Sequence, residues 1–386
     1  MATVRSGARA RTGAAIAIYT AGGLFWAFLP YFIALQANSI GLSAYRAGLL
    51  GSAYLIGFTV ASVSAWWWAS RFDWRRCVGL ALTGILLCLY ALAVSKRFPA
   101  VAAACFVLGI CMGTLWVIAY RVFATASRPD RIFGLAIAIS YSALATITLL
   151  IGRLVIPAGG LVGLMSVMAA LVIVLGSGVM LLPAGAASGA KSVSGQGESA
   201  VPVWAGLAGI FLFGLFFAAI WTFALQIGVA AGFNRDAVGA VLSSNLLVTG
   251  IGSVAASAVS SRSGRRAPLL LSYGALALCA AALAVPFGFA TFAIALIGIG
   301  LGVGFCMPFQ LGAISSLDEG GRFVSLIAGA QGIGSALGPL LGGAAFDAVG
   351  ASGVSMVAVA VLALSLVAFL FVLTQPRVRQ TGSPVL

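Results

Sequence analysis

Residues 69–76 read ASRFDWRR and residues 260–266 read SSRSGRR. Each knot of arginine closes a long apolar run, in a chain of 386 residues of which only 7% are charged. Two such similar clusters, so far apart, point to a repeated unit. What that unit is follows from the runs on either side of them.

Hydrophobic side chains make up 62% of the chain and the mean hydropathy is +1.15. Too little polar surface remains to wrap a soluble core. A bilayer is the solvent such a chain requires, and a helix needs roughly 20 apolar residues to cross it. Runs of that order cover 13–36, 44–68, 77–94, 100–120, 133–155, 161–182, 203–226, 237–260, 268–287, 290–315, 323–346 and 352–374, which predicts twelve spans. They are continuously apolar rather than alternating, so an all-α membrane protein is expected and a membrane barrel is not. Small-residue stretches such as GIGLGVG at 298–304 suit close approach of membrane helices. The N-terminal MATVRSGARARTG leads into a run too long for a cleavable signal, so the first helix is expected to stay.

Basic residues set the expected orientation, because positively charged loops remain on the cytoplasmic side. With both termini inside, the two arginine knots share that side with Arg5, Arg9, Arg11, Arg121, Arg128, Arg131, Lys191, Arg322, Arg377 and Arg379. Only Arg46, Lys96, Arg97, Arg153 and Arg235 fall outside. Charge spaced at intervals beside apolar spans anchors topology and meets anionic lipid, so the pI near 10.3 does not point to nucleic acid.

The one long polar stretch, PAGAASGAKSVSGQGESAVP at 183–202, reads as a flexible cytoplasmic linker. Six spans precede it and six follow, dividing the chain into bundles at 1–182 and 203–386. Echoes between the halves keep their order: Ser70, Arg71, Arg75 and Arg76 against Ser261, Arg262, Arg265 and Arg266; IALQ at 33–36 against FALQ at 223–226; ICMG at 110–113 against FCMP at 305–308; DRIFGLAIA from Asp130 against GRFVSLIAG from Gly321. Four echoes in one order favour two homologous halves.

These residues resemble the major facilitator superfamily of secondary transporters. The family's signature between spans two and three, Gly-x-x-x-Asp-Arg-x-Gly-Arg-Arg, is approximated by SRFDWRR and SRSGRR, and GIGSALGPLLGG at 332–343 is similar to its Gly-Pro-x-x-Gly-Gly pattern, moved from the fifth span to the eleventh. Ser70 and Ser261 replace the signature Asp, and Asp73 stands where Gly is usual. The resemblance implies two pseudo-symmetric six-helix bundles facing a central cavity and alternating access to a midplane site. With no outer domain or long outer loop in the sequence, a monomeric carrier in a bacterial inner membrane is expected. The resemblance also implies gating by Arg71, Asp73, Arg75, Arg76, Arg262, Arg265 and Arg266, which the bland reading takes as topology anchors alone.

Energy coupling is informative by omission. The chain has no histidine, and of its seven acids (Asp73, Asp130, Glu198, Asp236, Asp318, Glu319 and Asp347) only Asp347 approaches a span interior. An intramembrane carboxylate proton relay is not expected, and facilitated diffusion, exchange or substrate-borne protons fit better. Arg153, in LLIGRLVIP, and Arg121, after LWVIAY, carry cations into spans at a cost of about 2.5 kcal/mol unless they meet a partner or snorkel to head groups. An anion such as a carboxylate is therefore a candidate substrate.

Tyr19, Trp26, Tyr31, Trp116, Tyr120, Trp221, Gln226, Asn245 and Gln310 complete the candidate site, offering stacking surface and hydrogen bonds on spans that line the cavity in this family. Tyr and Trp also gather at membrane interfaces, and WWW at 66–68 reads as such a belt. The cysteines lie in or beside spans, so no disulfide framework is expected. Cys111–Met112 and Cys306–Met307 offer soft ligands of the kind that select Cu(I), although both residue types are ordinary apolar filling. No cofactor motif, nucleophile–base pair or phosphate loop is present, which argues against an enzyme. The leading reading is a secondary transporter of a small organic solute; multidrug-type efflux of apolar compounds is the alternative, and soft-metal transport a weaker one.

Overall fold

The computed structural model describes residues 2–69, 71–124, 129–181, 201–260, 265–286, 288–315, 317 and 324–375. Almost all of them are helical. In order come α1 (Ala2–Ile40), α2 (Ala44–Val63), the one-turn α3 (Ala65–Trp68), α4 (Trp74–Val94), α5 (Phe98–Ala124), α6 (Pro129–Leu150) and α7 (Ile156–Gly176). Then follow α8 (Val201–Ala230), α9 (Arg235–Ser260), α10 (Arg266–Ala282), α11 (Phe289–Ser315), α12 (Val324–Val349) and α13 (Ala351–Thr374).

Ten helical stretches among the described residues are long and apolar enough to cross a membrane. One, Leu135–Leu181, runs for 47 residues through α6, a π-helical turn at Ile151–Val155, α7 and a 3-10 turn at Ser177–Leu181. At about 1.5 Å per residue it is more than twice as long as a ~30 Å hydrocarbon core. The helix breaks within it at Gly160, whose φ of 52° and ψ of −135° suit a residue without a Cβ. The stretch therefore accommodates both spans expected over 133–155 and 161–182. Helix α10, apolar but shorter, covers 268–282 of the span expected at 268–287. Leu80 and Leu278 each expose 75% of their surface, as lipid-facing positions do.

Two compact units emerge: residues 1–41 with 53–190, and residues 42–52 with 191–386. The start of α2 thus belongs with the second unit, although the sequence placed the whole division in the linker. Most of that linker lies outside the described residues. In the first unit α1 packs on α5, α6 and α7, and α4 on α5 and α7. In the second, α8 packs on α12 and α13, α9 on α11, and α10 on α11 and α13.

Glycine sets the closest approaches. A Cβ on Gly57 would collide with the Phe106 carbonyl and one on Gly109 with the Tyr54 carbonyl, holding α2 against α5. In the second unit Gly252 meets the Leu301 carbonyl and Gly304 the Thr249 carbonyl, holding α9 against α11. The four pairs share one offset of 195 positions (57 to 252, 106 to 301, 109 to 304, 54 to 249). GPLLGG on α12 works in the same way: a Cβ on Gly338 would stand 2.7 Å from the Ala218 Cβ, one on Gly48 of α2 would meet the Pro339 carbonyl, and one on Gly343 the Ala44 carbonyl. Missing side chains let helix backbones touch where hydrophobic force between helices is absent.

Candidate substrate site

In the first unit the rings of α1, α2 and α5 form a ladder. Tyr19 stacks on Trp116 with centroids 4.9 Å apart, and Tyr120 lies 5.5 Å from Tyr19 and 5.2 Å from Trp116. Phe58 meets Trp116 edge-on at 5.3 Å, Tyr54 continues at 6.4 Å, and Phe25 follows at 4.7 Å. The spacing that makes this possible is helical, since Tyr54 and Phe58, like Trp116 and Tyr120, are four residues apart and share a face. Gly22 lets the indole in, because a Cβ there would stand 2.8 Å from it.

The ladder is apolar but not polar-free. The indole nitrogen of Trp116 and the hydroxyl of Tyr54 are buried without a hydrogen-bond partner. So are both amide atoms of Gln36, whose residue has no exposed surface. Each such group costs about 1–3 kcal/mol when left unpaired. Tyr31, also buried, brings its hydroxyl within 2.6 Å of where a Cβ on Gly152 would stand. Trp26 is half-buried.

Neither cation of the expected site joins the ladder. Arg153 is exposed on the π-helical turn. Arg121 is half-buried and donates from its guanidinium to the Ala65 carbonyl at 3.0 Å, bracing the turn after α2.

In the second unit Trp221 is buried and stacks near Phe217 at 6.2 Å. Gln226, one turn beyond Thr222 on α8, buries its amide oxygen unpaired, and the Thr222 hydroxyl is unpaired too. Asn245 and Gln310 each bond within the bundle through the amide nitrogen, while the Asn245 amide oxygen is buried unpaired. The Asn245 amide donates to the Leu296 carbonyl at 2.6 Å, tying α9 to α11. The Gln310 amide donates to the Tyr273 hydroxyl at 2.9 Å; that hydroxyl pairs with Ser365 at 2.7 Å, and Ser365 donates to the Gly209 carbonyl at 2.7 Å. This chain of bonds links α11, α10, α13 and α8.

The arginine knots lie at helix ends. Asp73 caps α4 by accepting the Arg76 amide at 3.1 Å, while Arg71 lies over the Trp67 ring at 5.2 Å. Trp68 and Trp74 donate their indole N–H groups to the carbonyls of Ala61 and Ala69, so two tryptophans pin the same turn. Arg75 is half-buried and Arg76 exposed. Arg265 is half-buried beside Gly312, and Arg266 opens α10 exposed. Arg262 lies outside the described residues.

The sulfur pairs sit in helix packing. Cys111 faces Gly84 of α4, and Cys306 touches Gln310 and Ser272. Among the described residues no group of three metal-binding side chains occurs.

A family model described as Major Facilitator Superfamily matches residues 12–318 and 206–385. Solved structures share the fold. A mutant of the nucleoside transporter NupG is 16% identical, with 94% of this chain and 98% of that chain covered and a TM-score of 0.68. A structure described as giving insights into substrate recognition in proton dependent oligopeptide transporters is 13% identical, covering 97% and 99%, with a TM-score of 0.72. A D-xylose-proton symporter is 12% identical, covering 97% and 98%, with a TM-score of 0.73. No curated protein matches the chain.

Proposed function

Because the chain belongs to the Major Facilitator Superfamily, we propose that it is a secondary transporter of a small, uncharged or weakly polar organic solute, working by alternating access between two six-helix bundles. That it is a multi-pass membrane transporter rather than an enzyme follows from the family. The substrate is the further step. The observation that carries it is the ladder from Tyr19 through Trp116 and Phe58 to Tyr54, with an unpaired indole N–H and an unpaired phenol buried along it. Rings give a stacking surface and the orphan groups give direction to a ligand's polar atoms.

The charges support an uncharged cargo over a carboxylate. Arg121 is engaged with a backbone carbonyl and Arg153 is exposed, so neither of these two cations is offered to an anion at the ladder. Asp73 sits at a helix cap and Asp236 in the first turn of α9, which agrees with transport that runs without a carboxylate proton relay. The orientation follows the basic residues: termini and the 183–202 linker in the cytoplasm, the arginine knots at the inner gate, the carrier in a bacterial inner membrane and acting as a monomer. A second reading, efflux of apolar compounds, draws on the same rings.

Proteoliposome flux tests the proposal. A panel of a pentose, a nucleoside, a dipeptide, benzoate and a cationic dye is expected to show saturable uptake of a neutral member, competed by its own kind. Saturable benzoate uptake that is abolished by Arg153→Ala would replace it with the anionic reading.

A further inference from the structure

Buried hydroxyls on membrane helices ordinarily donate to the carbonyl one turn back, since no water is at hand to receive them. This chain follows the habit: Thr20 donates to Ile16, Thr59 to Leu55, Ser243 to Gly239, Thr249 to Asn245 and Ser272 to Pro268. Others bond across helices, as Ser365 does to Gly209, but among the described serines and threonines Ser52, Thr148 and Thr222 are buried with no hydrogen-bond partner. Two of these three lie on helices that meet.

Ser52 and Thr222 both belong to the second unit. A Cβ on Gly51, the residue before Ser52, would stand 3.5 Å from the Thr222 methyl and 3.1 Å from Pro339, so α2, α8 and α12 meet there. Ser52 follows Gly48 by one turn, about 40° round the helix, and Gly48 is pressed against the Pro339 carbonyl. Depth agrees as well. Ser52 lies eight residues into α2 and Thr222 eight residues before the end of α8, about 12 Å in each case at 1.5 Å per residue. Gln226 follows Thr222 by one turn on the same face of α8 and adds an unpaired amide oxygen.

We infer that Ser52, Thr222 and Gln226 form a polar subsite that binds the hydroxyl groups of an uncharged, hydroxyl-bearing solute. The inference rests on the transporter reading above and names the class of cargo. The chemistry selects that class in two ways. The Gln226 oxygen accepts only, so the ligand must donate, whereas the two hydroxyls donate or accept. No basic side chain stands on the adjoining turns at 48–56, 218–229 or 335–343, so a carboxylate would be buried there without a counter-charge. An alcohol donates to the amide and accepts from a hydroxyl at no such cost.

Thr222→Val keeps the shape of the side chain and removes the hydroxyl, Thr222→Ser keeps the hydroxyl, and Ser52→Ala removes the second. Flux of radiolabelled ribose, inositol and glycerol is measured in proteoliposomes of the full chain, with benzoate beside them and melting followed in detergent. The expected result is a KM for the transported polyol raised about tenfold in Thr222→Val and Ser52→Ala and restored in Thr222→Ser, with unchanged melting. A wild-type KM in both hydroxyl-deleted variants overturns the subsite. A fall in melting temperature without a change in KM also overturns it, because the hydroxyls then serve the fold through an ordered water. If the wild type moves benzoate or a dye but none of the polyols, the cargo class fails and the transporter reading stands. If it moves nothing in the panel, the transporter reading fails with it.

Discussion

The carboxylate of Asp347 accepts the backbone amides of Ala44 and Tyr45, each at 2.8 Å, across 303 and 302 residues of sequence. The first turn of α2 is thereby capped by the last turns of α12, while Ser43 accepts the Arg46 amide at 3.3 Å from the helix's own side. Helix N-termini leave amides unpaired, and an anion held there is stabilised by them and by the helix dipole. The one acid that the sequence brought near a span interior is thus a tertiary cap.

Removing that cap should loosen α2 locally. Asp347→Ala is expected to speed amide exchange at residues 44–46 about fivefold, the equivalent of roughly 1 kcal/mol for a lost cap, with Asp347→Asn falling between because its one oxygen still accepts. Exchange measured by mass spectrometry on the purified protein checks this. Unchanged exchange in Asp347→Ala would mean that Ser43 alone holds the turn.

Small residues along α2 and α12 should tolerate no enlargement. Gly48→Val and Gly343→Val would each drive a side chain into a backbone carbonyl. Such overpacking costs about 2 kcal/mol, and a melting temperature lower by about 4 °C is expected. Gly79→Ala and Gly274→Ala, where nothing lies within 4 Å of the new carbon, serve as controls and should melt at or above the wild-type temperature.

Trp116→Phe and Tyr54→Phe probe the ladder. Each keeps most of the ring packing and removes one unpaired buried donor. If those donors face the cargo, flux shows a KM raised about fivefold, some 1 kcal/mol for a neutral hydrogen bond, while the melting temperature holds or rises. A wild-type KM would confine the ladder to packing.

The two arginines should separate cleanly. Arg121→Ala removes a charged donor from the Ala65 carbonyl, worth about 2 kcal/mol, and should lower the melting temperature by about 4 °C. Arg153→Ala, at an exposed position, should leave both melting and neutral-solute KM unchanged. Thermal unfolding and flux on the same preparations decide it.

Much of the fold was legible because spans announce themselves by apolar length, and the twelve expected runs each meet a helix. The 47-residue helical stretch needed the structure, since IPAGG shows where a break is allowed but not that helix resumes at once. The repeat was visible in words such as ICMG and FCMP; its packing expression, the 195-residue offset of paired glycines, was hidden by the abundance of glycine. Within the candidate site, helical spacing picked out Tyr19, Trp116 and Tyr120, whose rings the structure brings together. It missed Tyr54, Phe58 and Thr222, because a membrane helix is apolar all round and its periodicity does not say which side faces a neighbour. Asn245 and Gln310 are ligand candidates from sequence, and the structure adds that their amide nitrogens bond Leu296 and Tyr273 within the bundle.

Substrate counterflow in sealed proteoliposomes, run with and without an imposed pH gradient, tests the central claim most directly. The account predicts saturable exchange of an uncharged solute that proceeds without the gradient and is unaltered by Arg153→Ala. Accumulation that requires the gradient, carried by an anion and lost in that variant, would contradict it.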